Sequence, residues 1–180
     1  MDFNLVTSTF DTLRLTPPSK LTLLDAQEFS SAHFPPTPPD VDMLILGVDS
    51  RELAAQVKAV LQANYPDEYE IFLVDAGKRK EERLGTLGSG DYSSSTCVFI
   101  PSLGEGTSFE AFAEIVSHLR APDGCPWDKE QTHQTLRKHL LEESYEALSA
   151  IDANDVGGMR EEFGDLLLQI VLNAQIASET

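Results

Sequence analysis

The hydrophobic pattern changes period once along the chain. Up to about Leu103 the apolar residues come in short runs bounded by turn formers. Asp42-Met-Leu-Ile-Leu-Gly-Val48 and Glu70-Ile-Phe-Leu-Val-Asp75 are two of these, and each predicts a strand. Between them the segment from Ser50 to Leu61 carries apolar residues at helical spacing, with Ser50 as its N-cap. Strand, helix and strand in that order predict a βαβ-like unit. Thr96-Cys-Val-Phe-Ile100 predicts a third strand, stopped by Pro101, and the pattern assigns it no partner. Phe34-Pro-Pro-Thr-Pro-Pro-Asp40 suits neither a helix nor a central strand and reads as an extended connection. Gly88 to Ser95 reads as a loop.

The segment Leu103-Gly-Glu-Gly-Thr107 marks a boundary, because everything after it reads as helix. Phe109, Phe112, Ile115, Val116 and Leu119 form one amphipathic face, ending before Pro122. After the loop Ala121-Pro-Asp-Gly-Cys-Pro126, Asp128 and Gln131 have the spacing of a capping box for a long helix running to about Ile151. Asp152 to Asp155 predicts a turn, and a last helix runs from near Met159 to the end. The expected fold class is α+β: a small α/β segment over residues 1–103, then an all-α bundle over residues 104–180.

The last two helices carry acids where apolar residues belong. Leu136, Leu140, Ala147 and Ala150 define one stripe, and Glu143 and Glu146 fall within it. On the following helix Glu162 and Asp165 sit beside or on the face marked by Leu166 and Ile170. Residues three apart project side by side from a helix, so two such pairs on antiparallel helices converge on one cluster of oxygen donors. An ionised carboxylate held in an apolar seam without a partner costs several kcal/mol. Cationic partners are scarce: between Glu142 and Asp165 there are eight acids and a single base, Arg160. A divalent cation would neutralise the cluster, and all-oxygen ligation selects Mg²⁺, with Mn²⁺ as the alternative, over zinc.

Composition narrows the partners. The net charge is −17, and such a field repels nucleic acid and anionic membrane surfaces while suiting metal cations. No apolar run reaches the ~18 residues needed to cross a bilayer, and no signal-peptide pattern opens the chain, so a cytoplasmic location is expected. Cys97 and Cys125 lack metal-ligand spacing and are expected as reduced thiols. His133 and His139, six residues apart, do not share a helix face, and nothing in the sequence marks a zinc site.

The pattern Glu143-x-x-Glu146, a spacer, then Glu162-x-x-Asp165, set in Leu141-Glu-Glu-Ser-Tyr-Glu146 and Arg160-Glu-Glu-Phe-Gly-Asp-Leu-Leu-Leu168, resembles the MazG family of nucleoside triphosphate pyrophosphohydrolases. Leu119-Arg-Ala-Pro-Asp-Gly-Cys-Pro-Trp-Asp128 and Gln131-Thr-His133 extend the resemblance, which covers roughly Phe109 to Glu179. It implies an all-α domain that forms a homodimer or homotetramer and hydrolyses nucleoside triphosphates to a monophosphate and pyrophosphate with Mg²⁺. Carried onto this chain, Glu143, Glu146, Glu162 and Asp165 are the metal ligands, and Glu142 orients or deprotonates the attacking water. Trp127 is a candidate to stack on the base. Lys129 and Lys138, with Arg120 and Arg137, are candidates for phosphate contact. A competing reading is a non-catalytic module that binds metal or nucleotide to drive oligomerisation or regulation.

Residues from about Asn4 to Leu103 resemble the C-terminal half of a tetrapyrrole methylase domain, the kind fused ahead of MazG domains. Ser50-Arg-Glu-Leu-Ala-Ala-Gln-Val-Lys58, Tyr65-Pro-Asp-Glu68 and Glu82-Arg-Leu-Gly-Thr86 carry that likeness. The half expected to hold glycine-rich cofactor loops is missing, so no methyl transfer is expected, and a docking or regulatory role is.

Overall fold

The computed structural model describes residues 3–179. The chain divides into two compact units, Met1–Ser108 and Phe109–Thr180, whose outermost residues 1–2 and 180 lie outside the described residues.

The first unit contains helices α1 (Phe3–Leu13), α2 (Ala26–Phe29) and α3 (Arg51–Leu61). Its strands are β1 (Leu21–Asp25), β2 (Asp42–Leu46), β3 (Glu70–Asp75), β4 (Lys78–Arg83) and β5 (Cys97–Ile100). They form one sheet in the order β1-β2-β5-β3-β4. The expected βαβ unit is β2-α3-β3, and β5, the strand without an assigned partner, lies between its two strands. It pairs antiparallel with both, through Leu44↔Phe99 on one side and Phe72↔Phe99 on the other. Both outer partners of β5 therefore run in the same direction, as a βαβ crossover requires. The three central strands are covered on both faces, which is why they read as continuous apolar runs.

Alternation along each strand divides the core between those faces. Met43, Ile45, Ile71, Leu73, Val98 and Ile100 pack with Leu53, Val57 and Leu61 of α3. Leu44, Phe72, Val74 and Phe99 pack with Phe10 and Leu13 of α1. Ser50 caps α3 as expected, its side chain accepting from the Leu53 N–H at 3.3 Å. Strand β4 has the sequence Lys-Arg-Lys-Glu-Glu-Arg, with no apolar residue. It pairs with β3 across a tight turn in which Ala76 and Gly77 both have positive φ, 47° and 73°. A fully charged strand belongs at an open sheet edge, where charge discourages further pairing.

The second unit is all helix: α4 (Phe109–Arg120), α5 (Pro126–Glu130), α6 (His133–Asp152) and α7 (Val156–Ser178). The long helix begins later than the Asp128 to Gln131 spacing predicts. Asp128 is a buried residue of α5, and Thr132 is the true cap, exchanging bonds with Thr135 in a capping box. Helix α7 begins at Val156, three residues before Met159, because Asp155 caps it by accepting from the Gly158 N–H at 3.1 Å. The core of the unit is Val116, Leu136, Leu172 and Ile176.

The loop between α4 and α5 turns tightly at Gly124. A Cβ there would lie closer than real contacts allow to the carbonyl oxygens of His118 and Leu119 at the end of α4. Arg120 then fastens the loop to α7. Its guanidinium donates to both carboxylate oxygens of Glu179, at 2.7 and 2.6 Å, and to the carbonyls of Asp128 at 2.5 Å and Gln131 at 3.2 Å.

Candidate metal centre

Two contacts fix the pairing of α6 with α7. At one end of the hairpin the carboxylates of Glu143, Glu146 and Glu162 meet, and at the other His133 Nδ1 lies 2.9 Å from Asn173 Oδ1. The helices are thus antiparallel, and the inward stripe of α6 reads Leu136, Leu140, Glu143, Ala147. Leu136 and Ala147 are buried and Glu143 is half-buried between them. On α7 the corresponding stripe reads Glu162, Leu166, Gln169, Leu172, Ile176. The last three are buried and Glu162 is half-buried. Glu143 and Glu162 therefore occupy seam positions, while Glu146 and Asp165, one turn on from each, flank them at the exposed rim.

One oxygen from each of Glu143, Glu146 and Glu162 lies within 4.8 Å of the other two. Asp165 stands outside that mutually close trio, but it is a strong electrostatic neighbour of Glu143. Burial, followed by the charges of Asp165, Glu146, Glu162 and Glu142, pushes the Glu143 carboxyl above its ordinary value of 4.5. Burial and the charges of Glu146, Glu161 and Asp165 push Glu162 up in the same way. Among the described residues none of these four carboxylates takes part in an ion pair. The donor set is all oxygen, anionic and without a protein counterion, which fits a hard divalent cation.

The remaining sequence-predicted residues are more dispersed. Glu142 is exposed on α6, its Oε2 3.8 Å from Nδ1 of His139. Trp127 on α5 is 53% exposed and meets the His139 ring edge-on, with centroids 6.4 Å apart. Lys129 donates its Nζ to the Pro122 carbonyl at 2.8 Å, and Lys138 is exposed on α6. Arg120 serves the loop clamp. The sequence reading passed over Gln169, buried on the inward stripe seven residues after Glu162; that spacing is the signal that would have found it.

Fold and donor set together define a class: an α-helical hairpin with a cluster of carboxylates from both helices across its seam. Residues 131–180 match the MazG nucleotide pyrophosphohydrolase domain. The chain is 35% identical, over 96% of its length, to the uncharacterized protein YabN of Bacillus subtilis, of which the match covers 37%. Over 41% of the chain it is 50% identical to 29% of the nucleoside triphosphate pyrophosphohydrolase/pyrophosphatase MazG of Thermotoga maritima. Over 36% of the chain it is 53% identical to 25% of the Escherichia coli K12 nucleoside triphosphate pyrophosphohydrolase. The chain thus spans well under half the length of these relatives. The C-terminal hairpin, α6 with α7, is the part of the chain that is similar to MazG nucleotide pyrophosphohydrolases. Among the described residues no helix is long and apolar enough to cross a membrane.

Proposed function

We propose that this chain hydrolyses nucleoside triphosphates to nucleoside monophosphate and pyrophosphate, with Mg²⁺ held by Glu143, Glu146, Glu162 and Asp165. The observation that carries the reading is the convergence of three uncompensated carboxylates from both helices within 4.8 Å. A bound Mg²⁺ would supply charge neutralisation for the polyphosphate and acidify the attacking water.

The chain's own residues do the rest. Glu143 and Glu162, fixed in the hairpin seam, hold the donor oxygens in place without large side-chain freedom. Glu146 and Asp165 at the rim face the direction from which a phosphate chain arrives. Glu142, one residue from the seam and open to solvent, orients the water and accepts its proton. The oxygen of that water bonds to the α-phosphorus as the anhydride bond to the β-phosphate breaks, releasing pyrophosphate. Lys138 and Lys129 contact the phosphates, and Trp127, more than half exposed, offers a face to the base.

The helical domain assembles with a second copy. Leu141, Tyr145 and Leu148 form an outward stripe on α6, and Phe163, Leu167 and Ile170 form one on α7, all at least 40% exposed. A helix apolar on two faces calls for a partner on each, and the inner face already has one. We take the domain boundary at residues 103–104 and read residues 1–103 as a tetrapyrrole methylase-like segment in a docking or regulatory role. The similarity to YabN, which extends across both units, supports reading them as parts of one architecture.

Metal binding tests this reading directly. Millimolar Mg²⁺ is expected to raise the melting temperature of the chain by binding only the folded cluster, and Glu143→Gln is expected to abolish that rise. An equal rise in the variant would remove Glu143 from the site.

A further inference from the structure

Gln169 lies on α7 one turn beyond Asp165 and two turns beyond Glu162, on the stripe that faces α6. It is 8% exposed, and its Oε1 is buried with no hydrogen-bond partner. Among the described residues this is the one orphaned buried side-chain atom of the helical unit. The register set by the carboxylate cluster and by the His133–Asn173 contact places Gln169 between them, opposite the Leu136–Leu140 turn. Asn173 nearby is fully employed, its oxygen on His133 and its Nδ2 donated to the Gln169 main-chain carbonyl at 2.8 Å. The neighbouring side-chain amide of Gln169 has no such employment.

Buried polar groups in folded proteins are nearly always paired, and one that is not calls for a missing partner. A leucine or methionine would fill the same seam position without that demand. The amide is uncharged, so it offers a polyanion far less than a lysine or arginine does. It does carry a donor and an acceptor side by side, the combination that pairs with the edge of a heterocyclic base. Rotation about its terminal torsion is soft and can present either group.

Position agrees with chemistry. Four residues along α7 separate Gln169 from Asp165, about 6 Å of helix rise. A nucleotide whose phosphates engage the carboxylate end extends its nucleoside away from them, and along the seam that direction leads to Gln169. We propose that Gln169 is a specificity-determining residue whose side-chain amide hydrogen-bonds the base of the bound nucleoside triphosphate. The inference rests on the reading of the hairpin as a nucleoside triphosphate site.

The test is calorimetric binding to the full chain in Mg²⁺, using α,β-methylene analogues of ATP, GTP, CTP and UTP, which are not cleaved, and inorganic tripolyphosphate, which has no base. Gln169→Met is expected to fold with an unchanged or higher melting temperature and to bind the preferred analogue at least about tenfold more weakly. Its affinity for tripolyphosphate is expected to stay at the wild-type value. Should Gln169→Met fail to fold, Gln169→Leu is read in the same way. Unchanged analogue binding in the folded variant overturns the assignment of Gln169 and leaves the proposed reaction standing. An equal loss for analogue and tripolyphosphate also overturns it, since the residue would then shape the helix and not read the base. Wild-type protein that binds no analogue at all overturns both the inference and the function it rests on.

Discussion

Glu143 stands where an apolar side chain would close the seam, four residues before buried Ala147 and three after Leu140. Its carboxyl and that of Glu162 are held above their ordinary value by burial and by neighbouring acids. An acid with a higher pKa in the folded state than in the unfolded state favours folding while protonated. That contribution is full below the unfolded value near 4.5 and is lost as pH rises through the raised folded value. Metal-free protein is therefore expected to lose thermal stability in the helical unit as pH rises above 4.5 through the raised folded values, and Glu143→Gln is expected to flatten that fall. Asp75 has the opposite sign. Hydrogen bonds from Ser93 and Ser95 hold its carboxyl low, so its contribution is present at neutral pH and disappears on acidification. A melting series in chelator separates the two, because only the neutral-side loss should respond to Glu143→Gln. At the rim, Glu146→Gln is expected to reduce turnover by at least about 100-fold while leaving circular dichroism unchanged. Near-wild-type turnover would exclude Glu146 from the site.

At the scale of elements, the bond network of Arg120 ties α4, the loop leading into α5 and the end of α7 together. Arg120→Ala is expected to destabilise the helical unit by about 2 kcal/mol, through lost charge-assisted hydrogen bonds and the loss of a side-chain donor to the Asp128 and Gln131 carbonyls, of which Asp128 keeps the Gln131 N–H. Glu179→Gln, which keeps the shape and the carbonyl contacts, should cost clearly less; urea unfolding of the two variants decides this. Gly124→Ala is expected to be at least as damaging as Arg120→Ala, because the added Cβ would meet main-chain oxygens that cannot move aside. Elements with a strong apolar period were legible in the sequence: β2, α3, β3, β5 and α4 all lie where their patterns put them. Strand β4 was not legible, since six charged residues give no alternation to read and the strand owes its existence to pairing with β3. The start of α6 was misplaced because Asp128 and Gln131 mimic a capping box that the chain builds at Thr132 and Thr135 instead. The carboxylate stripe was legible because acids at seam spacing contradict their surroundings. Gln169 was passed over because a glutamine in a helix does not contradict its surroundings as an acid does, and only its spacing of seven residues from Glu162 pointed to the seam.

For the whole molecule, the stripes on the outer faces of α6 and α7 leave large apolar side chains at least 40% exposed to water. Leu148, 54% exposed on one of them, is the place to interrupt association. Leu148→Glu is expected to shift the protein to a smaller species by light scattering at micromolar concentration, with helical content retained; an unchanged mass would place the subunit contact elsewhere. The two-unit organisation follows from the change of period near Gly104, where short strand-like runs give way to long helical ones. The proposed reaction is tested most directly by product analysis. Purified chain incubated with a panel of nucleoside triphosphates, with and without Mg²⁺, is predicted to yield nucleoside monophosphate and pyrophosphate only when the metal is present. Nucleoside diphosphate with phosphate as products, or no turnover of any member of the panel despite bound metal, would contradict it.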